Sequence, residues 1–168
     1  ANTARRHAPQ GQLEHYMAAA PGSPVAFEAR VQRAPHGSGT PPVPVPLLTP
    51  PAWAGGTPVM LASGGVDTWK MDFHGRFEAI ALRTGMPVLA FDIPGTGESE
   101  LPMTSEGGAD VVRALAAEAR TLGNGRVMHL GISMGAHFSA RAGLAADCDA
   151  PVVLGGPVEA AFEPGRSV

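Results

Sequence analysis

The chain has a single cysteine, Cys148, among its 168 residues, so it can form no internal disulfide, and its surroundings in sequence give that thiol no reason to be reactive. A buried structural thiol is expected there. Basic blocks are also absent: 12 basic and 15 acidic residues leave a formal charge of −3 with no cationic stripe. That excludes the electrostatic footprint of a phosphate-backbone binder, and nucleic acid is not an expected partner. No apolar run approaches the roughly 18–20 residues that span a bilayer, and residues 1–10 are polar rather than signal-like, which points to a cytoplasmic chain with no membrane partner. His-Glu-x-x-His and cysteine pairs are missing, so no metal site is expected. There is no Walker A sequence, and Gly95-Thr96-Gly97 is followed by Glu100 where a dinucleotide fingerprint needs its third glycine. No cofactor is expected.

What the chain does contain is enough apolar residue, 44%, for one domain with a core. Residues 1–24 read as an N-terminal arm with a short helix at 13–20, and residues 25–168 as part of one domain. Val25, Phe27, Ala29 and Val31 alternate with more polar neighbours, so 25–33 reads as one strand of period two. Prolines from Pro41 to Pro51 remove backbone donors and predict an edge strand or extended loop over 43–48.

Beyond that the pattern changes to short uninterrupted apolar runs at 58–63 (PVMLAS), 86–93 (MPVLAFDI), 126–132 (RVMHLGI) and 151–154 (PVVL). Such runs mark strands covered on both faces. Between them, 72–84, 105–122 and 134–146 have helical length. Phe73, Phe77, Ile80 and Ala81 fall on one helix face, as do Val111, Leu115, Ala119 and Leu122. The alternation predicts an α/β fold, an open and mostly parallel sheet with helices on both faces.

The third run passes directly into Gly131-Ile132-Ser133-Met134-Gly135, and a helical segment follows at once. This G-x-S-x-G, in a strand–turn–helix setting, presents a serine hydroxyl at a sharp turn, and its small flanking residues let strand and helix approach. Ser133 is the candidate nucleophile. The helix start supplies free amides and a positive dipole end, so Met134 N–H is one candidate donor to an oxyanion. The first run ends in Ser63-Gly64-Gly65-Val66, where Val66 N–H is the expected second donor, and the second run ends in Asp92-Ile93-Pro94-Gly95-Thr96-Gly97-Glu98-Ser99. Three glycine-rich loops then share the sheet edge where open α/β sheets build their sites. Asp92 reads as a residue that ties its own loop, and Asp67 with Lys70 as a local ion pair. His74 and His129 read as structural histidines.

At these residues the chain resembles the fermentation-respiration switch esterase family of α/β-hydrolases, whose relatives include polyketide-shortening hydrolases and dihydroxypseudooxynicotine hydrolase. The resemblance runs over 27–162 and rests on Gly-Gly-Val-Asp-Thr-Trp-Lys, Asp-x-Pro-Gly-x-Gly and G-x-S-x-G in that order. It implies a serine hydrolase acting on a small-molecule ester or activated ketone.

That resemblance also implies a triad in the order serine, acid, histidine, with the last two on later loops. After Ser133 the chain offers only His137, Asp147, Asp149, Glu159 and Glu163. His137 lies one helical turn from Ser133, whereas a triad base approaches from a separate loop. The expectation is therefore that the last strands, the cap, the acid and the base lie in a C-terminal half or in a second chain that completes the sheet. The competing expectation is a hydrolase-like module that binds without catalysis.

Overall fold

The computed structural model describes residues 22–156; the arm and helix expected within 1–21, together with Glu159 and Glu163, lie outside them. Eight strands follow in chain order, β1 (Ala26–Glu28), β2 (Val31–Arg33), β3 (Pro42–Pro44), β4 (Leu47–Thr49), β5 (Val59–Ser63), β6 (Val88–Phe91), β7 (Val127–Ile132) and β8 (Ala150–Leu154). Helix α1 (His74–Thr84) joins β5 to β6, α2 (Ser105–Leu122) joins β6 to β7, and α3 (Met134–Leu144) joins β7 to β8. Six strands form one sheet in the order β1-β4-β6-β5-β7-β8, in which β6, β5, β7 and β8 run parallel. Strands β1 and β4 pair antiparallel at the other side, and β2 with β3 makes a separate two-stranded ribbon.

The runs of β5, β6 and β7 become strands because successive side chains face opposite layers, and both layers are covered; the run of β8, expected to be buried likewise, is instead largely exposed among the described residues. On one face Val59, Leu61, Leu89 and Phe91 pack with Val111, Leu115 and Ala119 of α2 and with Phe138 and Ala142 of α3. On the other, Met60, Ala62, Val88 and Ala90 pack with Phe77 and Ala81 of α1. The open, mostly parallel α/β sheet with helices on both faces is thus as the periodicity predicts. Helix α2 begins where Thr104 accepts a hydrogen bond from Gly107 N–H at 2.9 Å, and an acidic Glu106 sits in its first turn. Gly108 lets α3 approach α2, because a side-chain carbon at 108 would overlap the Phe138 ring. Cys148 is a free, buried thiol, and burial, with the carboxylates of Asp149 and Asp147 nearby, pushes its pKa up.

Two expectations need correction. The single strand over 25–33 is two strands, because the period-two pattern fails at Ala29, which is exposed, and at Val31, which is 63% exposed. The chain turns out of the sheet there, anchored by Arg30 on Glu28 at 2.9 Å and on Glu118 of α2 at 2.8 Å. Nor is the proline-rich stretch confined to a rim: β4 lies between β1 and β6. Pro46 and Pro50 bracket three residues that keep their N–H groups, and Pro46 still accepts a bond from Ala90 N–H at 3.1 Å. Proline therefore limits the length of this strand rather than its place in the sheet.

In the middle of β7, His129 is fully buried, with its ring 5.5 Å from Phe91 and Nε2 3.2 Å from Ser63 Oγ, while Nδ1 has no partner among the described residues. Burial lowers its pKa from 6.5 to about 3, so the folded protein holds it neutral. The unfolded chain takes up a proton near pH 6.5 that the folded chain refuses. The stability this residue contributes is thus complete above pH 6.5 and drains away as pH falls toward about 3, by up to about 1.4 kcal/mol per pH unit. Denaturant unfolding between pH 7 and 4 is expected to show that slope in the wild type and to lose it in His129→Leu; parallel slopes would contradict the assignment.

Candidate active site

Strand β7 ends at Ile132, and α3 starts at Met134, so one residue makes the whole turn. That residue, Ser133, has φ 56° and ψ −121°, a conformation that costs a non-glycine residue about 1–3 kcal/mol. Its neighbours hold it there. Ser133 N–H donates to Leu154 O of β8 at 2.8 Å, and Gly135 N–H donates to Gly64 O at 3.1 Å. A further bond from Ala136 N–H to Ser133 O at 3.0 Å closes the turn into the helix.

The glycines of the motif are required by proximity rather than by φ. A Cβ at Gly131 would collide with the carbonyl of Gly135, and one at Gly135 would lie 2.5 Å from Gly64 O and from Ser63 Oγ. Gly64 itself passes under Thr68 O and against the Phe73 ring. Gly65 lies beside the serine: a Cβ there would sit 3.1 Å from Ser133 Oγ. The loop after β5 thus meets the turn, with Gly65 against Ser133 and Gly64 O bonded to Gly135 N–H.

Ser133 is exposed, and its hydroxyl makes no hydrogen bond among the described residues. Gly65 N–H is taken by Thr68 Oγ1 at 3.2 Å, whereas the N–H groups of Val66 and Met134 meet no acceptor among the described residues. Met134 opens an 11-residue helix, so its amide is among those that no intrahelical carbonyl can reach, at the positive end of the dipole. Val66 is 43% exposed at the tip of its loop.

The third loop enters differently from the sequence expectation. Asp92 does tie its own loop, accepting Glu98 N–H at 3.0 Å, but it also accepts Lys70 N–H at 2.8 Å and Lys70 Nζ at 2.5 Å. Lys70 Nζ reaches Glu98 as well, at 2.6 Å. The local pair of Lys70 with Asp67 is thus replaced: the ammonium is buried against carboxylates of the next loop. The side chains of Lys70 and Asp92 are each 2% exposed. The signal in the sequence is a lysine set between Trp69 and Met71, an apolar setting in which a charge needs a distant partner. Thr68 is a further residue that the motifs alone do not single out, although a threonine three residues after Gly65 suits a turn that captures a backbone N–H.

His129 is in the core beneath the loops, and His74 lies on α1, where burial lowers its pKa against the opposing pull of Glu78, 3.8 Å away. His137 is half-buried on α3, edge-on to Phe138 at 5.5 Å. Neither His74 nor His129 hydrogen-bonds to Ser133. Among the described residues no three His, Cys, Asp or Glu side chains gather to hold a metal, and no helix is long and apolar enough to cross a membrane.

Comparison with known proteins agrees with this fold. Residues 57–152, more than half of the chain, match the family model of the alpha/beta hydrolase fold. No curated protein sequence matches significantly. Among solved structures, AbyA5 is similar with a TM-score of 0.71 at 22% identity, over 89% of this chain and 43% of that one. Esterase LipW from Mycobacterium marinum is similar with a TM-score of 0.60 at 23% identity, over 86% and 46%. An esterase from Pyrobaculum calidifontis is similar with a TM-score of 0.59 at 19% identity, over 82% and 46%. The chain thus spans a little under half the length of these structures. Given the sheet order, the crossovers and the family match over β5 to β8, the chain belongs to the alpha/beta hydrolase fold family.

Proposed function

We propose that the protein is a serine hydrolase acting on a small-molecule ester or activated ketone, with Ser133 as nucleophile and the N–H groups of Met134 and Val66 as the oxyanion donors. The observation that carries this reading is the exposed Ser133 hydroxyl, held at a strained turn with Gly65 against it, while the N–H groups of Met134 and Val66 meet no acceptor among the described residues. In the reaction, Ser133 Oγ bonds to the carbonyl carbon while its proton passes to a histidine base, and the carbonyl electrons move onto oxygen between the two amides. Collapse of that intermediate breaks the bond to the alcohol or carbon leaving group, which takes up the proton. Water then attacks the acyl-serine and restores the hydroxyl.

The esterases among its structural neighbours favour an ester, and the loop motifs favour the fermentation-respiration switch esterase branch, with activated ketones as the second class. The acid and the histidine come from residues beyond β8, in a C-terminal half or a second chain. Two features support this: the chain matches under half of its neighbours' length, and β8 is bonded only to β7 among the described strands while Val153 and Leu154 stand about half exposed.

A fluorophosphonate probe is expected to label the full-length protein at Ser133 and to leave Ser133→Ala unlabelled. Peptide mapping of the adduct decides the matter, since labelling elsewhere, or none, would remove the nucleophile. Ser133→Gly is expected to raise the unfolding free energy by about 1 kcal/mol while abolishing labelling, because glycine relieves the strain at φ 56°. A loss of stability on denaturation would show that the turn is unstrained.

A further inference from the structure

Lys70 is among the largest fully buried side chains of the described residues, at 1% exposure. Burying an ammonium costs several kcal/mol in desolvation, and a buried ion pair is commonly no more stable than an apolar pair of similar volume. Core stability alone gives little reason for a lysine here. Its position gives a better one, because both the backbone N–H and Nζ of Lys70 bind the same carboxylate, Asp92, at 2.8 and 2.5 Å. Two bonds from one residue to one carboxylate fix the course of the main chain at position 70 as well as the side chain.

The other end of the same loop is fixed independently. Gly64 O accepts Gly135 N–H from the turn that carries Ser133, and Thr68 Oγ1 holds Gly65 N–H. Val66 and Asp67 form the exposed tip between these anchors. Asp92 is itself held by Glu98 N–H, and Gly97 passes so near that any side chain there would overlap the carboxylate. Glu98, with its side chain 23% exposed, completes a triad of one cation and two anions.

We propose that Lys70 is a positioning residue for the Ser133 site: its buried bonds to Asp92 and Glu98 clamp the loop after β5 to the loop after β6, and so hold Val66 N–H in place opposite Ser133. The inference rests on the proposed nucleophile, and its test separates the two. In Lys70→Met, Asp92 is left as a buried orphan charge, so both the thermal midpoint and the fluorophosphonate labelling rate of Ser133 fall. In the double variant Lys70→Met/Asp92→Asn no orphan charge remains, and the amide oxygen that replaces the carboxylate still accepts a backbone N–H. The midpoint is then expected to recover toward wild type, while the labelling rate stays at least about tenfold lower and amide exchange at Gly65, bonded to Thr68, is faster. Glu98→Gln, changed at the exposed end of the triad, serves if the double variant does not fold, with labelling about threefold slower at an unchanged midpoint.

Recovery of the labelling rate along with the midpoint would overturn the proposal and leave the triad as packing alone. So would unaltered amide exchange at Gly65, whose N–H is bonded to Thr68, or wild-type labelling in Glu98→Gln. Failure of the wild-type protein to label would instead remove the nucleophile, and amide exchange would still decide whether Lys70 holds the loop.

Discussion

A single strained residue organises this end of the molecule. Ser133 sits in a backbone region that side chains avoid, and it stays there because its own N–H and that of Gly135 are bonded to different elements. Its own N–H is committed to β8, and that of Gly135 to the carbonyl of Gly64. Strain of about 1–3 kcal/mol persists only where the surroundings over-determine the conformation. The same bonds that enforce it leave the hydroxyl projecting from the sheet rather than packed within it.

From that turn the requirements spread outward as a set of close approaches. Glycines at 131 and 135 let β7 and α3 meet, Gly64 lets the next loop pass beneath Thr68, and Gly65 brings that loop against the serine. Beneath them lies a buried polar layer: Ser63 with His129, and Ser139 donating to His129 O at 2.6 Å. Above it, Lys70 and Asp92 join the loops of β5 and β6. A polar group buried without partners is costly, so each of these contacts also fixes the relative placement of the elements that contribute to it.

Much of this is legible in the sequence where a local pattern decides the outcome. The runs that form β5, β6 and β7 alternate between two covered faces, whereas the run of β8 is a strand whose Val153 and Leu154 stand half exposed, and α2 spans Ser105–Leu122 as its apolar spacing and the Thr104 cap require. The G-x-S-x-G and Gly-Gly loops meet because both lie at C-terminal strand ends of adjacent parallel strands. Local reading fails where the outcome depends on distant partners. Nothing local in 25–33 says that the strand breaks so that Arg30 can reach Glu118 on α2, and the prolines around β4 conceal three residues with free ladder groups. The pairing of Lys70 with Asp92 crosses 22 positions of sequence and is settled only when β5 and β6 lie side by side.

The central claim is spatial: a nucleophilic oxygen at position 133 with two waiting amides beside it. A crystal structure of the phosphonate adduct of the full-length protein examines it most directly. A covalent bond from Ser133 Oγ to phosphorus is expected, with the phosphoryl oxygen within about 2.7–3.1 Å of both Met134 N and Val66 N. An adduct whose phosphoryl oxygen points to solvent, or to amides other than these, would contradict it.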